Sequence, residues 1–164
     1  MIVIVMGVSG VGKTTIGGAV AAALGWRFVD ADDYHPAANV AKMAAGVALQ
    51  DEDRWPWLDA LNTELVQAER RGESVILACS ALKQRYRERL VAGLRAWRIV
   101  HLHGAFDVIE ARLRERRHRY MPASLLASQF ATLEAPQDAI VVDVSLPAER
   151  SVAQIVETLK QTGA

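Results

Sequence analysis

Gly7-Val8-Ser9-Gly10-Val11-Gly12-Lys13-Thr14 has the spacing G-x-x-x-x-G-K-[ST], and the chemistry of that spacing is phosphate binding. Glycines let the backbone turn closely around an anion, with several N–H groups and a helix N-terminus aimed at it. Lys13 has the reach to meet the β- and γ-phosphates of a nucleoside triphosphate, and the Thr14 hydroxyl is suited to ligate Mg²⁺. Gly7, Val8, Ser9, Gly10, Val11, Gly12, Lys13, Thr14 and Thr15 are therefore the candidate ATP-binding positions.

Two carboxylates come next. Asp30 and Asp32 stand two apart at the end of an apolar run, a spacing that turns both toward one side. Phosphoryl transfer needs a carboxylate near Mg²⁺ and often a second to orient or deprotonate the accepting hydroxyl. Asp30 is the candidate for the metal, through water, and Asp32 for the acceptor; capping of the next helix is the alternative role for Asp32 and Asp33. Residues 35 to 54 then hold His35, Asn39, Lys42 and Arg54, groups suited to a polyhydroxylated acid. A guanidinium such as Arg54 can clamp a carboxylate with two hydrogen bonds. Arg112 and Arg116 lie one helical turn apart and project from one face, where they can close over a triphosphate. The run through Arg114, Arg117 and Arg119 reads as a lid over about residues 116–124.

These groups need elements to position them. Short apolar runs at Ile2–Met6, Arg27–Asp30, Ser74–Cys79, Arg98–His103 and Ala139–Val144 read as strands covered on both faces. Between them are helical patterns, among them Ile16 to Leu24, Leu58/Leu61/Leu65 and Val152/Ile155/Val156/Leu159. Pro56 suits the first turn of a helix, and at least one of Trp55 and Trp57 is expected in the core. Alternation of this kind predicts an α/β fold, a parallel sheet between two helical layers, with ligands beyond the carboxyl ends of the strands. The 164 residues make one domain, 1–164. Nineteen basic and nineteen acidic residues cancel, which disfavours nucleic acid or an anionic membrane as partner. No run approaches the ~18 apolar residues that suggest a membrane span. The apolar N-terminus lacks the cationic start of a signal peptide. The one cysteine, Cys79, closes an apolar run and is read as core, which fits a reducing cytoplasm.

The phosphate loop, Asp30-Ala31-Asp32, His35-Pro36, Asn39, Lys42-Met43, Asp51-Glu52-Asp53-Arg54, Pro56-Trp57-Leu58, Cys79-Ser80-Ala81-Leu82-Lys83, Tyr86-Arg87 and Ser128-Gln129-Phe130 together resemble the small P-loop gluconokinases. The H-P-x-x-N-x-x-K-M run and the C-S-A-L-K segment carry most of the likeness. It implies ATP- and Mg²⁺-dependent phosphorylation of D-gluconate on its terminal hydroxyl. It also implies a five-stranded parallel sheet ordered 2-3-1-4-5 with a mobile lid, similar to shikimate and nucleoside monophosphate kinases, and commonly a homodimer. By the same resemblance Ser80 and Lys83 face the acceptor or the γ-phosphate, Arg112 lies by the adenine, Pro147 flanks it from the other side, and Arg116 serves the lid. A same-fold kinase for another hydroxyl compound and a nucleotide-dependent switch are the rival readings. The Cys79–Lys83 segment, which is not Gly-rich as in shikimate kinases, and the absence of an Asn-Lys-x-Asp motif count against them.

Overall fold

The computed structural model describes residues 1–115 and 123–163. Five parallel strands form one sheet: β1 (Ile2–Met6), β2 (Arg27–Asp30), β3 (Val75–Ala78), β4 (Trp97–His103) and β5 (Ala139–Asp143), in the order β2-β3-β1-β4-β5. The helices are α1 (Lys13–Leu24), α2 (Ala37–Ala44), α3 (Asp51–Arg70), α4 (Gln84–Val91), α5 (Phe106–Glu115), α6 (Ala123–Thr132) and α7 (Ala148–Gln161), with a 3₁₀ turn at Ala31–Tyr34. The order is the one the family resemblance implies. The expected lid lies almost wholly outside the described residues, and its last two positions open α6.

β1 is central and fully buried because it is covered from both sides. Its side chains alternate between two cores. Val3 and Val5 join Val20, Val100, Leu102, Ile155 and Leu159 on the face of α1 and α7. Ile2, Ile4 and Met6 join Leu58, Leu61, Leu65, Leu77 and Leu90 on the face of α3 and α4. A strand's two-residue period thus serves two helical layers at once, and no position of β1 can be polar.

α1 begins at Lys13, directly on the end of the phosphate loop and a turn earlier than the expected Ile16, and the start of α3 differs as well. α3 begins at Asp51, where Asp53 accepts a 2.9 Å hydrogen bond from the Gln50 N–H across the first turn, an N-terminal arrangement that stabilises a helix start. Pro56 therefore lies inside the helix rather than in its first turn. It is exposed, as is Glu52, whose carbonyl it deprives of a helical donor. Trp57 is core, and its indole N–H donates to the Ala31 carbonyl at 2.7 Å, tying α3 to the turn after β2. Cys79 is also buried, and burial pushes its thiol up to about 12. Among the described residues, no helix is long and apolar enough to cross a membrane.

His101, in β4, is the unusual polar group of the interior. It is 5% exposed, and among the described residues its Nε2 has no hydrogen-bond partner. Burial lowers its pKa below the ordinary histidine value, and His103 and Arg87 push the same way. The neutral ring is thus native, while the unfolded chain takes up a proton below pH about 6.5. The stability this supplies is present above that pH and is lost as pH falls toward the folded-state pKa. Melting temperature should therefore fall between pH 7.5 and 5, and His101→Leu should make that fall shallower. A variant melting curve with the wild-type pH slope would assign the effect elsewhere.

Candidate active site

All the candidate groups among the described residues that follow a strand gather at the carboxyl edge of the sheet. The phosphate loop joins β1 to α1, with φ of +146° at Gly7, +87° at Gly10 and +96° at Gly12. A Cβ on Gly7 would lie 2.6 Å from the Leu102 carbonyl oxygen, and one on Gly10 would lie 2.7 Å from Cγ of Leu113. Glycine is needed at both for two reasons, the backbone angle and the want of space. Lys13 folds back over the loop, its Nζ donating to the Val8 carbonyl at 3.0 Å. Gln129 of α6 grips the loop from the other side. Its Oε1 accepts from the Ser9 N–H at 2.7 Å, and its Nε2 donates to Ser9 Oγ at 3.1 Å. Sequence inspection gives Gln129 no role, because 120 residues separate the partners.

Thr14 and Asp30 meet directly: the Thr14 hydroxyl donates to Asp30 Oδ2 at 2.8 Å. The other carboxylate oxygen accepts from the Asp32 N–H at 3.1 Å and starts the 3₁₀ turn. Asp30, rather than Asp32 or Asp33, is thus the cap. Two hard oxygens held beside a phosphate loop fit Mg²⁺, which keeps several waters and takes one or two protein oxygens together with phosphate. Among the described residues no group of three or more His, Cys, Asp or Glu could enclose a metal.

On the α5 side, the Arg112 guanidinium donates to the Val144 carbonyl. A cleft of about 230 Å³ opens here, lined by Gly10, Gly12, Thr15, Arg112, Val144, Leu146 and Pro147 among others. It brings the phosphate loop, Arg112 and Pro147 to one place, as a bound nucleoside would require. A wider, shallower depression of about 540 Å³ lies at the opposite edge of the sheet, around Arg27, Arg71 and Glu73. Its cations are already paired, Arg27 with Glu64 at 2.5 Å and Arg71 with Glu73 at 2.6 Å, and it is remote from the strand ends that bind ligands in such sheets.

The candidate acceptor groups lie on α2, α3 and the loop after β3. Asp32 presents a carboxylate that is 70% exposed, with His35 Nε2 3.9 Å away. His35 stacks on Trp57, ring centroids 4.2 Å apart. Burial lowers its pKa, against the pull of Asp32 and with the help of Arg54, so the ring is neutral at pH 7. Asn39 is buried and donates to the Asp53 carbonyl at 2.8 Å, and Lys42 donates to Asp53 Oδ1 at 2.6 Å. Both are engaged within the protein and fasten α2 to the start of α3. The Lys42 contact, with the Gln50 N–H, holds the Asp53 carboxyl below its usual range.

Arg54 and Lys83 do come together, around Asp51. Arg54 Nη1 is 3.8 Å and Lys83 Nζ 3.7 Å from Asp51 Oδ1, Arg85 pairs with Oδ2, and the Tyr86 hydroxyl donates to Oδ1. The Tyr86 hydrogen bond, then Lys83, Arg85 and Arg54, depress the Asp51 pKa. Behind this cluster the buried Arg87 donates to the carbonyls of Ala81 and Leu82 at 3.0 and 3.1 Å. It thereby secures a loop in which Ala81 has a φ of +43°. Ser80 contributes its carbonyl, which accepts from the Gly7 N–H at 3.4 Å and joins the loop to the phosphate site. Arg116 lies outside the described residues. Arg114 pairs with Glu110 at 3.1 Å along α5.

A phosphate loop on a parallel sheet of this order, with a Thr–Asp pair beside it and a cationic acceptor wall, defines a P-loop kinase. A family model described as an AAA domain matches residues 2–140. A probable gluconokinase of Xenopus tropicalis is 43% identical, the match covering 94% of this chain and 91% of that protein. The crystal structure of a gluconokinase from Sinorhizobium meliloti 1021 has a TM-score of 0.88 at 39% identity, covering 98% of this chain and 91% of that one. An unliganded sugar kinase from Janibacter sp. HTCC2649 has a TM-score of 0.90 at 44% identity, covering 97% and 94%. The chain belongs to the gluconokinase family.

Asp30→Asn keeps the shape and removes the charge; its one carbonyl oxygen can still accept from the Asp32 N–H, while its amide nitrogen faces Thr14 as a donor. ATP turnover should then need at least about tenfold more Mg²⁺ for half-saturation, the loss of one charged partner. An unaltered Mg²⁺ titration would take Asp30 out of the metal site.

Proposed function

We propose that the chain transfers the γ-phosphoryl group of ATP to the terminal (C6) hydroxyl of D-gluconate, giving 6-phospho-D-gluconate and ADP. The carrying observation is that one sheet edge holds the phosphate loop with its Thr14–Asp30 pair and, across Asp32, the cationic wall of Arg54 and Lys83. Family membership supports the same reading.

In this reading the backbone N–H groups from Gly7 to Thr15 and the Lys13 ammonium hold the phosphates, and the α1 N-terminus adds its dipole. Thr14 directly, and Asp30 through water, would hold Mg²⁺, which would supply positive charge to offset that of the phosphates. Arg112 and Pro147 flank the adenine. Arg54 takes the gluconate carboxylate. His35 and Ser80 face the hydroxyls, Lys83 stands between carboxylate and phosphate, and Asn39 and Lys42 keep the α2–α3 wall in place for them. Asp32 accepts a hydrogen bond from the terminal hydroxyl and takes its proton as the bond to phosphorus forms. Because the transition state is largely dissociative, positioning contributes more than basicity. Arg116 is assigned to the charge that develops on the transferring group. The reading carries with it the family's cytoplasmic setting and homodimer.

An ADP-release assay over D-gluconate, other aldonic acids, shikimate and AMP should show turnover confined to gluconate or strongest with it; silence with gluconate and activity on another acceptor would overturn the substrate. Arg54→Ala should raise the gluconate KM about 10–100-fold, the loss of a charged hydrogen-bonding partner, with the ATP KM retained. Equal changes in both would remove Arg54 from the carboxylate.

A further inference from the structure

The acceptor wall contains more positive charge than one carboxylate needs. Arg54, Lys83 and Arg85 all stand over the Tyr86 ring, 5.4, 5.6 and 5.7 Å from its centroid. Asp51 is the acidic group at their centre. It is the first residue of α3, where the helix dipole favours a negative charge, and the Tyr86 hydroxyl fixes its orientation. Arg54 and Lys83 approach it only to 3.8 and 3.7 Å, longer than a hydrogen bond. Arg54 Nη1 donates instead to the Tyr86 hydroxyl at 3.4 Å, which leaves the other guanidinium donors and the Lys83 ammonium for a ligand while both cations feel the carboxylate's charge.

We propose that Asp51 is a specificity-determining residue that lowers the potential of the Arg54–Lys83–Arg85 wall, so that the wall holds a singly charged acid and disfavours a doubly charged head group. The proposal rests on the gluconate reading of the site. Three cations against one carboxylate leave two positive charges, and a bound gluconate leaves one. Without Asp51, three charges would face the ligand. The Coulomb energy of a ligand scales with its own charge, so loss of Asp51 benefits a dianion twice as much as a monoanion. Phosphorylated polyols are the class such a site has to refuse, because they offer the same hydroxyl chain with a dianionic end.

The test compares D-gluconate with D-glucitol 1-phosphate, which keeps the polyol and its C6 hydroxyl but places a phosphate where the carboxylate stands. Both are measured by kcat/KM and by calorimetric binding to the whole chain, in the wild type, Asp51→Asn, Asp51→Glu and Arg85→Gln. The dianion-to-monoanion ratio should rise about tenfold in Asp51→Asn, the effect of one unit charge at about 6 Å and an effective dielectric of about 40. It should return to within about twofold of wild type in Asp51→Glu and fall several-fold in Arg85→Gln, by the same charge arithmetic. A ratio unmoved in Asp51→Asn, whether both constants fall together or rise together, would overturn the proposal and leave Asp51 a brace or a plug. Arg85 is half exposed, so its variant decides the matter if Asp51→Asn does not fold. If the wild type turns over neither compound, the gluconate reading fails, while the calorimetric ratio still judges Asp51.

Discussion

A backbone that wraps a polyanion must offer its N–H groups at close range, and that requirement shapes this protein from the centre outward. At Gly7 the chain passes so near the Leu102 carbonyl that no side chain fits, and at Gly10 it presses on Leu113. The loop is thereby wedged between the end of β4 and α5. It can be held there only if β1 is fixed in the middle of the sheet, which the two apolar cores on either side accomplish. The parallel order then follows usefully, because each strand delivers its next residues to the same edge. β2 delivers Asp30, β3 the Ser80–Lys83 loop, β4 the helix with Arg112, and β5 Pro147.

Around this anchor the polar groups share partners. Asp30 uses one oxygen for Thr14 and the other for the turn that presents Asp32, so the phosphate loop and the Asp32 carboxylate have a common support. Asp53 gathers Lys42, Asn39 and the first turn of α3. Arg87, buried and with its pKa lowered by that burial, holds two loop carbonyls behind the acceptor wall. Such interlocking restricts where the substrate groups can stand, which is the main contribution a protein makes to phosphoryl transfer.

The central strands were legible in the sequence because strands covered on both faces must be continuously apolar, as Ile2–Met6 and Val75–Ala78 are, whereas the edge strands β2 and β5, read as equally covered, leave Arg27 and Val141 exposed. The phosphate loop was legible because its residues are consecutive in the chain and its glycine spacing is fixed. The start of α3 was harder. Pro56 looked like a first-turn residue, whereas the stronger determinant was the weaker-looking pair Gln50 and Asp53. Asn39 and Lys42 looked like surface groups free to read a ligand, and only the folded chain shows both committed to Asp53. Gln129 on Ser9 and Arg85 with Tyr86 on Asp51 join residues 34 to 120 positions apart. No spacing rule covers such distances.

The burial of Cys79 has a practical side. Nearly all of a thiol with a pKa of about 12 stays protonated at neutral pH, and in the interior it is out of reach of alkylating reagents. The folded chain, whose one cysteine this is, thus presents a surface silent to maleimides. It is a ready host for site-directed fluorophores or spin labels: a pair of cysteines introduced on α2 and α5 would be the only accessible attachment points, and the distance between the two helices could be followed in the otherwise unaltered protein.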